Sequence, residues 1–134
     1  MKYLLDTSVL LWAQEAPEKL NRKARELLSD DQAWLFLSAV NSWEISLKYA
    51  LGKLTLFATP GEYVALCIRR WSLRTLDITV AHTFAVADLP FHHADPFDRM
   101  LVAQAGAEGM TLLTADRIFD KYEVKTLWCG TQNG

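Results

Sequence analysis

The sequence predicts an α/β protein in three layers, with helices on both faces of a central parallel sheet of four to five strands. Three observations carry that expectation. Short apolar runs of strand length recur along the chain, at residues 2–5 (KYLL), 33–38 (AWLFLS), 72–78 (SLRTLDI) and 110–114 (MTLLT). Helical periodicity fills most of the intervals, which are mostly too long for hairpins. Strands so spaced pair in parallel through right-handed crossovers, and the crossover helices cover both faces. Finally, 134 residues with 51% hydrophobic and 22% charged side chains have the size and composition of one globular domain with a real core.

Each element has its own signal. KYLL reads as a short buried strand, and TSVLLWAQ (7–14) as a helix opening from its end, with Asp6 at the junction. EKLNRKARELL (18–28) has helical period. After the second strand, AVNSWEISLKYALG (39–52) is a longer amphipathic helix closed by Gly52. EYVALCIRRW (62–71) is a helix with Pro60 and Gly61 before it, SLRTLDI the third strand and TVAHTFAVADL (79–89) a further helix. DPFDRMLVAQAGAEG (95–109) is a helix whose start carries two aspartates. MTLLT then forms the fourth strand, ADRIFDKY (115–122) turns through a short helix, and VKTLW (124–128) is an edge strand. One domain is expected over residues 1–130, with a frayed tail at 131–134.

Charge and cysteine usage exclude several classes. Fourteen basic against sixteen acidic residues give a net charge of −2, which argues against a broad electrostatic footprint for nucleic acid. If four acids were gathered around metal ions, the remaining balance of 14 against 12 would be mildly basic. Cys67 and Cys129 lack metal-ligand spacing and suit reduced thiols. The N-terminal apolar run contains Asp6 and no small-residue cleavage site, and no stretch nears the roughly 20 apolar residues of a membrane span. A cytoplasmic location is expected.

Four acids stand out by position. Asp6 follows the first strand and Asp116 the fourth, so both emerge at one edge of the sheet if those strands are neighbours; for a single acid at such a junction, helix capping is the better reading. Open parallel sheets place their working site outside the carboxyl ends of the strands. In the helix from residue 95, Asp95 before Pro96 suits an N-cap. Asp98 differs, because Leu101, Val102 and Ala105 follow it at +3, +4 and +7 and place it on the inward face. Glu44 has Val40, Leu47 and Leu51 at −4, +3 and +7, and its alternative is a surface pair with Lys48.

Four carboxylates in one pocket raise one another's pKa values unless a counter-charge is present. A divalent cation meets that need. Oxygen donors without cysteine or a histidine set point to Mg²⁺ or Mn²⁺, and the chemistry favoured is hydrolysis of a phosphodiester.

The pieces LLDTSVLLW (4–12), SAVNSWEISLKYALGKL (38–54), HHADPFDRMLVAQA (92–105) and LLTADRIFDKY (112–122) together resemble the PIN-domain ribonucleases, and within them the VapC-like toxins of toxin–antitoxin pairs. The resemblance spans nearly the whole chain. It implies a PIN-like fold and a metal-dependent endoribonuclease with catalytic, metal-holding acids at Asp6, Glu44, Asp98 and Asp116. It implies further that Ser8 bonds a carboxylate or a water near the metal, and that the protein is a homodimer silenced by a small antitoxin. Asp95 stands as an N-cap in contact with the metal's surroundings. Arg99 has two readings, contact with a phosphate or neighbouring acid and a plain surface role. Rival readings are a receiver-type phosphoacceptor domain, disfavoured by the missing lysine beside LLTAD, and a catalytically silent PIN-like module that binds nucleic acid.

Other conspicuous residues take ordinary roles. His92 and His93 read as solvent-facing loop residues rather than ligands, and His82 as a helix residue without function. Trp34 and Trp43 fall in core-facing runs, whereas Trp12 and Trp71, at helix ends, are interface candidates. Lys48 and Lys53 read as solvated lysines.

Overall fold

Why the chain becomes a three-layer sandwich is visible in the alternation along its strands. In the computed structural model, which describes residues 1–131, five strands form one sheet: β1 (Lys2–Leu5), β2 (Trp34–Ser38), β3 (Arg74–Leu76), β4 (Thr111–Thr114) and β5 (Thr126–Trp128). All pairings are parallel and the order is β3-β2-β1-β4-β5. Successive side chains point to opposite faces. Leu5, Leu35, Leu37 and Leu113 therefore enter one core cluster, and Leu4 and Leu112 the other.

Six helices cover these faces: α1 (Thr7–Glu15), α2 (Arg22–Leu28), α3 (Ala39–Ala50), α4 (Pro60–Trp71), α5 (Val80–Ala87) and α6 (Pro96–Glu108). Val9, Leu10 and Ala13 of α1, Ala24 and Leu28 of α2, and Tyr63, Val64 and Cys67 of α4 fill the first cluster. Phe97, Leu101, Val102 and Ala105 of α6 fill the second. Short 3-10 turns at Pro17–Lys19 and Arg117–Lys121 complete the set. Sheet and helices follow the sequence expectation with two departures: the helical segment expected over 18–28 is broken at Leu20 and Asn21, so that α2 begins at Arg22, and α4 begins earlier than expected, at Pro60. Thr59 is its N-cap and Glu62 closes a capping box with it. The expected tail falls mostly on residues 132–134, outside the described residues. Among the described residues no helix is long and apolar enough to cross a membrane, and both cysteines are buried free thiols.

A buried polar seam ties the second layer to the sheet. Ser38, which caps α3, donates to Gln104 Oε1 at 2.5 Å, and Gln104 Nε2 donates to His82 Nδ1 at 3.3 Å. His82 Nδ1 also accepts from the Thr79 amide and its Nε2 meets Glu108. His82 is thus a buried capping residue that locks α5 onto α6.

The tryptophans depart from expectation. Trp34 and Trp43 are 46% and 51% exposed, while Trp12 and Trp71 are half-buried against the first core cluster. Trp34 opens β2, and Arg74 stacks on its ring at 4.3 Å. Trp43 lies on the outer side of α3, its ring packed T-shaped against Phe97 with the centroids 4.7 Å apart.

Candidate metal and phosphodiester site

β1 and β4 are adjacent, and connections leave them in opposite directions across the sheet: β1 leads to β2 on one side, β4 to β5 on the other. A crevice opens at the carboxyl ends of such a strand pair. Here it is a cavity of about 260 Å³ whose lining includes Asp6, Glu44, Asp95, Asp98 and Asp116, with Ser8 and Lys48 among the remainder. The four acids singled out in the sequence, and Asp95, therefore share one space. Larger hollows elsewhere on the surface bring together no comparable set of carboxylates.

Asp6 sits at the N-cap position of α1, yet its side chain caps nothing. Its Oδ2 instead accepts from Ser8 Oγ at 3.1 Å and from Thr114 Oγ1 at 2.9 Å. Capping, the better reading for an isolated acid there, is overturned by these two hydroxyls. Asp6 is buried, and burial pushes its carboxyl up to about 6 against the lowering effect of the hydroxyls, with Glu44 adding repulsion.

Asp95 is the N-cap of α6, accepting from the Asp98 amide at 3.0 Å. Asp98 itself is half-buried, and its carboxyl is pushed up to about 8, first by burial and then by Asp6, Asp95, Glu44 and Asp116. Asp116, more exposed, caps the 3-10 turn through Ile118 while its own amide donates to Thr114 Oγ1. Glu44 is buried at 6% exposure; Lys48 Nζ holds its Oε2, and its Oε1 is buried without a hydrogen-bond partner among the described residues.

Two residues behave otherwise than the sequence implied. Arg99 is buried, and its guanidinium donates to Pro90 O, to Tyr122 Oη and, at longer range, to the carbonyls of Val86, Leu89 and His93. It staples the loop before α6 and takes no carboxylate among the described contacts. His93, expected in solvent, is half-buried: Tyr122 Oη lies 2.7 Å from its Nδ1, and its Nε2 lies 3.2 Å from Asp98 Oδ2. One assignment satisfies every donor, with Arg99 donating to Tyr122, Tyr122 to His93 and His93 to Asp98. His92 remains exposed, edge-on to Tyr122.

Sequence reasoning missed Thr114, His93 and Tyr122. Thr114 was recoverable once β1 and β4 were taken as neighbours, since Leu5 pairs with Leu113 and places the next residues side by side. The link from His93 to Asp98 had no periodic signal.

The donor set fits a hard divalent cation on two grounds: it is all oxygen, and one buried carboxylate oxygen, Glu44 Oε1, lacks a partner. No group of three or more acids, histidines or cysteines among the described residues is arranged to hold an ion by itself.

An open parallel α/β/α sandwich with an acidic crevice at its switch point defines the class. The chain belongs to the PIN domain family, whose model matches residues 3–125. The receiver-type reading is thereby set aside. Its fold is similar to that of several solved structures. One is VapBC2 from Rickettsia felis bound to a DNA fragment from its promoter, at TM-score 0.74 and 19% identity over 96% of this chain and 99% of that one. DNA-bound VapBC from Salmonella typhimurium gives 0.68 and 18%, over 95% and 97%. FitAcB from Neisseria gonorrhoeae gives 0.62 and 19%, over 93% and 96%. No curated protein sequence matches the chain.

Proposed function

We propose that this chain is a metal-dependent endoribonuclease, the toxin of a toxin–antitoxin pair, cleaving single-stranded RNA to leave a 5′ phosphate and a 3′ hydroxyl. The observation that carries the reading is the crevice of five carboxylates in which Asp6 and Asp98 resist ionisation and Glu44 keeps an unpartnered oxygen. Membership of the PIN family supports it, because PIN toxins are generally nucleases and PIN nucleases typically use divalent ions.

Asp6, Glu44, Asp98 and Asp116 would hold Mg²⁺ or Mn²⁺. When bound, the ion neutralises phosphate charge and makes water a stronger nucleophile for in-line attack. The protein's own share is placement. Ser8 and Thr114 fix the Asp6 carboxylate by hydrogen bonds, and Asp95 fixes the first turn of α6 and so the position of Asp98. Arg99 acts at a distance by holding Tyr122, which holds His93 against Asp98.

Exposed apolar surface supports the partners that the family resemblance implies. Beside the crevice, Trp43 and Leu47 of α3 and Leu51 just past its end leave an apolar stripe open, suited to a small antitoxin laid across the site. On α5 the one fully buried side chain is His82, while Val80 and Phe84 are 68% and 70% exposed. A second copy of the chain covering that face gives the homodimer.

The test is cleavage of single-stranded RNA by the purified chain. Activity should require Mg²⁺ or Mn²⁺, stop with chelator, and fall at least about 100-fold in Asp98→Asn, a loss on the scale of the several kcal/mol a metal site supplies. An Asp98→Asn protein as active as its parent removes Asp98 from the site.

A further inference from the structure

Five carboxylates line the crevice and one ammonium faces them. Lys48 is the sole basic side chain in the lining, and its Nζ lies 2.5 Å from Glu44 Oε2. Spacing alone makes this an i,i+4 helix pair like Arg22–Glu26, but the surroundings differ. Both members of the Arg22–Glu26 pair are well exposed, at 87% and 64%, whereas the Glu44 side chain is 8% exposed and that of Lys48 46%. A surface pair is optional for both partners; here one partner is a buried carboxylate. With Glu44 Oε1 unpartnered, Lys48 is the only hydrogen-bond partner of this carboxylate among the described residues. Asp95 and Asp98 draw on the same ammonium from further away.

The lysine is also free to leave. Residues 46–50 of α3 are all exposed, so the stem of Lys48 can turn outward without disturbing the core. Its long flexible chain loses rotamer freedom when pinned in the crevice and regains it in water.

We propose that Lys48 is a displaceable internal counter-cation: its ammonium stands beside Glu44 in place of a divalent ion, and ion binding is an exchange that drives it out. Lys48 then sets the ion concentration at which the crevice fills. A cation already paired with Glu44 subtracts from the attraction felt by an incoming ion, and an ammonium left near a divalent ion is repelled by it. The exchange also turns a positive group toward the mouth of the crevice, where a phosphodiester arrives. The inference rests on the reading of the crevice as a divalent-ion site.

The test is Mn²⁺ affinity of the intact protein, by calorimetry or by the electron paramagnetic resonance of free Mn²⁺, for the parent, Lys48→Met, Lys48→Gln and Lys48→Arg. Either neutral variant should bind Mn²⁺ roughly tenfold tighter, the effect of removing one close charge coupling. The Gln form keeps a donor for Glu44 Oε2, so it isolates charge from hydrogen bonding, and Arg should stay within about threefold of the parent. Thermal unfolding supplies a second readout, since the neutral variants should melt below the parent without ions and gain more on saturation with Mn²⁺. Neutral variants that bind Mn²⁺ equally or more weakly overturn the exchange and leave the ion site standing. Absence of Mn²⁺ binding in parent and variants alike overturns the ion site, and the exchange with it.

Discussion

α3 and α6 deliver the same kind of group to the same crevice by opposite means. Along α6, Asp98 stands at the head of a face whose later members, Leu101, Val102 and Ala105, are at most 1% exposed. The helix is embedded and the carboxylate goes where the helix goes. On α3 the apolar positions around Glu44 divide: Val40 is fully buried, but Leu47 and Leu51 are 40% and 59% exposed. Glu44 sits where α3 leaves the core, and what steadies it is a lysine on its own helix. A similar apolar pattern therefore means core on one helix and an uncovered surface on the other. The helix that carries Asp98 is held by packing, and Glu44 is held by an ion pair.

The largest expected effect breaks that contrast at its base. Leu101→Ala should destabilise the protein by about 2–5 kcal/mol in chemical denaturation, the cost of truncating a fully buried leucine. Leu47→Ala should stay within about 0.5 kcal/mol for the chain alone, as exposed positions do. Equal losses at the two sites would mean that the outer half of α3 is covered in solution, and the contrast between the helices would fall.

A smaller effect comes from charge. The Asp98 carboxyl is raised from an ordinary 3.8 to about 8 and that of Asp6 to about 6. Between pH 4 and these values the folded protein holds protons that the unfolded chain has lost, so stability falls as pH rises. Without divalent ions the melting temperature should therefore drop from pH 5 to pH 8. Asp98→Asn, which cannot ionise, should flatten most of that slope and melt higher at pH 8 by on the order of a few degrees. Mn²⁺ should flatten it in the parent. A melting temperature that climbs from pH 5 to pH 8 in the ion-free parent contradicts the raised pKa values.

Much of this was legible in the sequence because it rests on short-range pattern. Strand-length runs separated by helical periods fix a parallel sandwich, and the strand ends of β1 and β4 place Asp6 and Asp116. Asp98 was legible from its own helix. Glu44 was found by a stripe that is only half real, since helical period identifies a face without saying whether anything covers it. The same blindness exchanged the tryptophans: Trp43 fits an apolar pattern on an uncovered helix, and Trp71 at a helix end rests against the core. Thr114 against Asp6 and His93 against Asp98 are contacts between side chains from different elements or from an irregular loop. Neither has a period to betray it.

Asp95 offers the finest test of how α6 sets its acid, because it does two things there. Its Oδ1 accepts the Asp98 amide, which favours the helix, and its charge repels the Asp98 carboxylate, which opposes ionisation. Asp95→Ala removes both, and Asp95→Asn removes the charge while keeping a capping oxygen. Near pH 4.5, where Asp98 is protonated, repulsion counts for little and the cap dominates. Asp95→Ala should then lose about 1 kcal/mol, and Asp95→Asn should match the parent. At pH 8 without divalent ions, Asp95→Asn should be more stable than the parent, because one of the charges opposing Asp98 is gone. The reversal between the two pH values separates the residue that starts the helix from the field that burdens its neighbour. An Asn variant that loses as much as Ala at pH 4.5 would show that α6 is held by its buried face alone.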